Sequence, residues 1–171
     1  MLEPQVKITH LQRKVAMSKR LIVTLVAILA AAVSVTVALA TPALGTVTAT
    51  LFARGTLTSP VRANADGIVL RTDHSTDHAV QEIVFGPGAT SGWHRHPGVV
   101  LVTVKTGALQ HYEANCGSET VSAGKSFWES GSHATIVRNA TAHNTVVYVT
   151  YIAPTGAPLR IDMPNPGCSV E

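Results

Sequence analysis

The chain has 171 residues, of which 46% are hydrophobic and 13% charged, with a formal net charge of +3. That length allows one domain with a sizeable core and leaves little room for a second. The positive charge is local: beyond residue 40, 8 Lys and Arg stand against 9 Asp and Glu, a formal charge of −1, so nucleic acid is excluded as a partner.

In chain order, the first feature is an uncharged run over residues 21–40 that follows Lys19-Arg20 and ends in Ala38-Leu39-Ala40. A basic segment, an apolar segment and a small-x-small site together read as a secretory signal peptide, with Met1 and Met17 as alternative starts. The rival reading is an uncleaved membrane anchor, because roughly 20 apolar residues can span a bilayer. Residues 1–40 are therefore expected to form a hydrophobic helix, signal peptide or anchor, and residues 41–171 a single exported domain. That domain is secreted or extracytoplasmic, or held outside the membrane by the anchor, and membrane contact is confined to residues 21–40.

Past the leader, short β-rich runs follow one another: Thr46 to Phe52, Gly67 to Leu70, Ala79 to Phe85, Val99 to Lys105, Ala108 to Tyr112, Ser126 to Trp128, Ala134 to Val137 and Thr145 to Ile152. Val, Ile and Thr dominate them, and Gly and Pro separate them, which predicts an all-β sandwich or barrel without a convincing helix. The Pro-rich tail from Ala153 to Glu171 is expected to be an extended cover. Cys116 and Cys168 form an even pair in an exported segment, so a disulfide is expected between them.

Between Gly88 and Gly107 lies Trp93-His94-Arg95-His96-Pro97-Gly98. Residues two apart on a strand project to one face, roughly 6 to 7 Å apart, so two imidazoles can meet one ion. The spacing resembles the first motif of the cupin family: glycine, five residues, His-x-His, three or four residues, glutamate, six residues, glycine. Gly88, His94, His96 and Gly107 match it, but Val100 stands where the family has its glutamate. A second stretch, Gly124 to Asn139, resembles the second motif, with Thr135 in place of its histidine and His133 two residues earlier on the same strand face. The resemblance covers residues 79–152.

It implies an all-β, cupin-like double-stranded β-helix, or jelly-roll barrel, with one divalent transition metal in its lumen. The candidate ligands are His94 and His96, with His133 and His111 as weaker candidates. Zn, Mn, Fe, Cu and Ni remain open as the metal, and a homodimer is implied only by analogy. Because the alignment supplies no carboxylate, a 2-His-1-carboxylate oxygenase is disfavoured. The expected function is a barrel binding a metal, a small molecule or both without assignable catalysis. The alternative is a metal-dependent, oxygenase- or isomerase-like enzyme acting on a small organic substrate. The other histidines, His74, His78 and His143, are expected in solvated loops, and His111 is expected at an edge or the surface. Asn139-Ala-Thr141 fits a glycosylation sequon.

Overall fold

A computed structural model describes residues 40–131 and 133–170. The expected N-terminal helix lies outside the described residues. Among the described residues, no helix is long and apolar enough to cross a membrane.

The described chain is built from twelve strands. In order they are β1 (Val47–Leu57), β2 (Arg62–Ala65), β3 (Ile68–Arg71), β4 (Thr76–Phe85), β5 (His94–Arg95), β6 (Val99–Thr106), β7 (Ala108–Glu113), β8 (Ser118–Ser122), β9 (Ser126–Ser130), β10 (Thr135–Arg138), β11 (Thr145–Pro154) and β12 (Ile161–Asp162). They form two five-stranded sheets, β1-β4-β11-β6-β9 and β12-β5-β10-β7-β8, while β2 and β3 pair as a separate hairpin. All ladders are antiparallel.

Alternation builds the core. In β6, Val100, Val102 and Val104 are buried while Val99, Leu101 and Thr103 are exposed, and β11 alternates the same way through Val147, Val149 and Tyr151. Those inward rows meet Leu109, Val121 and Val137 of the other sheet in one apolar cluster. At roughly 1.5 to 3 kcal/mol for each buried large apolar side chain, this cluster is the main source of cohesion.

A smaller cluster holds the tail. Trp93, Ile136, Cys168 and Val170 pack together, and the Trp93 indole donates to the Val170 carbonyl at 3.3 Å. The tail is therefore more than a cover: β12 pairs with β5, and the Met163 amide donates to the Trp93 carbonyl at 2.9 Å. Cys116 and Cys168 are joined in a disulfide with a Cα–Cα distance of 5.4 Å, as the sequence predicts.

Several local expectations change. The segment around His78 is strand rather than loop, because β4 begins at Thr76. Asp77 within it is buried, accepts from Arg54, Thr56 and the Gly156 amide, and so ties β1 and the turn after β11 to β4. Asn139 of the sequon is 0% exposed. Its Nδ2 reaches the carbonyls of Phe85, Gly86 and His143 at 2.9, 3.0 and 2.7 Å. It is a turn-binding core residue that the folded chain does not present to a modifying enzyme.

Candidate metal centre

Both motif histidines are presented by the start of the second sheet. Gly92 precedes them with φ +68°, a left-handed conformation that glycine adopts without strain, and a Cβ there would collide with the Thr41 and Pro42 backbone. The close approach lets Thr41 Oγ1 accept from the Trp93 amide at 2.7 Å, which fixes the chain just before His94. His94 lies on β5 opposite Thr135 of β10, and His96 follows it on the same side. Both residues are 5% exposed, and their imidazoles meet edge to face with centroids 4.8 Å apart.

The third member of the group is Glu129 on β9, also 5% exposed. His94, His96 and Glu129 each offer one ligand atom, and these atoms lie within 4.8 Å of one another. The carboxylate that the first motif lacks is thus present in space. Its origin lies in the register: Val100 of β6 is paired directly with Glu129 of β9. Opposed residues on antiparallel strands share a face with Cβ atoms about 5 Å apart, so Glu129 reaches the volume that a glutamate at position 100 would reach.

The hydrogen bonds suit a cation. His94 Nδ1 lies 3.0 Å from the Gly92 carbonyl and His96 Nδ1 lies 2.6 Å from the Leu159 carbonyl, so each donates its Nδ1 proton to the backbone. Each Nε2 then faces Glu129 Oε2, at 3.9 Å for His94 and 2.9 Å for His96. With Nδ1 already donating, the His96 contact needs a proton between nitrogen and oxygen, and a divalent cation can replace that proton. Fixing the tautomer through the distal nitrogen is the usual outer support of a metal-bound histidine.

The other carboxylate oxygen is held separately. Oε1 accepts from Thr135 Oγ1 at 2.9 Å and lies 3.4 Å from His111 Nε2. That nitrogen is buried and has no hydrogen bond of good geometry. The expected third-histidine position, Thr135, therefore supports the carboxylate. Burial works to raise the Glu129 carboxyl, but His111 and His96 beside it outweigh that and hold it below the usual carboxylate range. Burial pushes the His94 imidazole down to about 4, against the pull of Glu129, so it stays neutral and able to coordinate near pH 7. For His111 burial also opposes charge, yet the flanking Glu129 and Glu119 carboxylates raise it.

Glu129 separates two cavities. On its His94 and His96 side is a cavity of about 440 Å³ with largely apolar walls that include Val102, Leu109, Phe127, Val147 and Val149. On the other side a cleft of about 420 Å³ is lined by His111, Glu113, Asn115, Trp128 and His133.

Of the sequence candidates, His94 and His96 come together. His111 is buried rather than at the surface, because it alternates with the lumen-facing Leu109, and it meets the back of Glu129. His133 is exposed and lines the outer cleft. His74 and His143 are exposed. Glu129 was missed because strand pairing is non-local; the available signal was its alternation with Phe127 inside the second-motif stretch.

No family model and no curated protein matches the sequence. Solved structures do. A cupin-like protein from Thermotoga maritima is 18% identical over 72% of this chain and 80% of its own, with TM-score 0.49. A double-stranded β-helix protein from Klebsiella pneumoniae is 20% identical over 62% of this chain and 85% of its own, with TM-score 0.45. An oxalate oxidase in complex with glycolate is 20% identical over 49% of this chain, which spans 45% of that protein, with TM-score 0.43. The all-β architecture itself rests on the two antiparallel five-stranded sheets whose inward faces share one apolar cluster.

Proposed function

We propose that this barrel binds one divalent transition metal through His94 Nε2, His96 Nε2 and Glu129 and receives a small organic molecule in the adjoining cavity. The observation that carries the reading is the convergence of three buried donors within 4.8 Å, with both distal imidazole nitrogens already committed to backbone carbonyls. Two imidazoles and one carboxylate suit Fe, Zn, Mn, Ni or Cu, and three protein ligands leave coordination positions for water or a ligand. When bound, such an ion supplies Lewis-acid character toward an oxygen donor.

A second reading, a metal-dependent enzyme acting on a small organic substrate, is favoured by one observation. The carboxylate absent from the motif is present as Glu129, and this removes the objection to a 2-His-1-carboxylate centre. The domain spanning 41–171 is read as exported, in keeping with its Cys116–Cys168 disulfide.

The test is reconstitution with Zn, Mn, Fe, Cu and Ni followed by elemental analysis. One ion per chain is expected for wild type and none for His94→Ala/His96→Ala. Stoichiometric metal retained by the double variant would refute the assignment, as would wild type that takes up none.

A further inference from the structure

The cavity beside the metal centre also limits what can lie in it. Beyond the three candidate ligands its few polar wall groups are partly engaged. Tyr151 donates to Gln81 Oε1 at 2.7 Å, and Ser91 Oγ accepts from the Val137 amide at 3.0 Å while lying 2.9 Å from the Gly92 carbonyl. Arg160 is the sole Lys or Arg of the lining, and its Nε donates to Asp162 Oδ1 at 2.6 Å in an ion pair that offsets its charge. The remaining wall is mainly Val, Ile, Leu and Phe.

A divalent cation held by two neutral imidazoles and one carboxylate retains one net positive charge. Resting on the metal reading above, we infer that the cavity takes a small, mostly apolar monoanion with a single oxygen headgroup at the metal and a hydrocarbon body against Val102, Phe127 and Val149. Away from Gln81 and the Arg160–Asp162 pair, a second charged or strongly hydrogen-bonding group on the ligand would be buried against side chains that offer it no partner, a costly outcome. Sugars, phosphates, amino acids and dicarboxylates are therefore expected to bind more weakly than a monocarboxylate of similar size. The volume of about 440 Å³ falls at the lower end of the roughly 300 to 1,000 Å³ common for small-molecule sites, so the body is short.

The test is calorimetric titration of the zinc-loaded protein with acetate, butyrate, hexanoate and adipate, after zinc uptake has been measured by itself. Affinity is expected to rise by up to roughly fourfold per methylene from acetate to hexanoate, the factor for burying one CH₂. Adipate, which carries a second carboxylate on the same six-carbon chain, is expected to bind at least tenfold more weakly than hexanoate. A flat series, or adipate equal to or tighter than hexanoate, overturns this inference and leaves the metal site standing. Failure of zinc to bind sinks both and is seen in the first titration. Hexanoate affinity that is the same without zinc overturns the headgroup assignment.

Discussion

At the scale of single residues, the central finding is that a carboxylate absent from its expected place in the chain is supplied from across a strand pair. Val100 and Glu129 are register partners, so the two positions face the same volume although they are 29 positions apart in sequence. Glu129→Val is expected to cut zinc affinity by more than the roughly 10- to 100-fold that follows loss of an outer partner. Adding Val100→Glu to that variant is expected to bring affinity back to within about tenfold of wild type, because both residues face the same volume. Equilibrium dialysis measures both; a double variant as weak as the single one contradicts the register argument. His111 acts behind the carboxylate, at 3.4 Å from Oε1. His111→Phe is expected to weaken zinc binding by about 10- to 100-fold, and His111→Gln, whose amide can donate to the same oxygen, to restore most of it.

At the scale of elements, the β-rich runs were legible down to the four-residue β3 and β10, whereas β2, β5, β8 and β12 were not. The runs at Val99 to Lys105 and Thr145 to Ile152 alternate cleanly and appear as β6 and β11. The two-residue strands β5 and β12 carry too little pattern of their own and exist because neighbours pair with them. Their pairing nonetheless positions His94, which lies opposite Asp162. The His-x-His spacing locates two of the three members of the group from sequence alone. The third, Glu129, needs the register of β6 with β9, which no local pattern encodes. Asp77 joins three elements by bonds from Thr56, Gly156 and Arg54, and these hold its carboxyl down to about 2. A carboxylate depressed in the folded state contributes stability that is present above its unfolded value of 3.8 and lost as pH falls through the folded one. Thermal melts between pH 5 and pH 2 are therefore expected to fall more steeply for wild type than for Asp77→Asn, which starts with the lower Tm.

At the scale of the whole molecule, the buried titratable groups make stability depend on pH, and the proposed metal would add a second dependence. In the metal-free protein His94 carries a folded value of about 4 against an ordinary 6.5. Its unfolded form takes up the proton first, so stability declines as pH drops from 6.5 toward 4. The shift corresponds to on the order of 3 kcal/mol at the lower end. Glu129, held low in the folded state, extends the loss to more acid pH with the same sign. Melts of wild type and His94→Gln across this range are expected to converge as pH falls. A metal that binds only the folded chain adds about 2.7 kcal/mol at one hundred times its dissociation constant, and acid removes that gain by protonating the ligands.

The most direct test of the account is a calorimetric zinc titration of wild type beside Glu129→Gln at pH 7. The account predicts one site per chain in wild type and an affinity lower by more than about 100-fold when the carboxylate is replaced by its uncharged isostere. Equal affinities in the two proteins, with both folded, would contradict it.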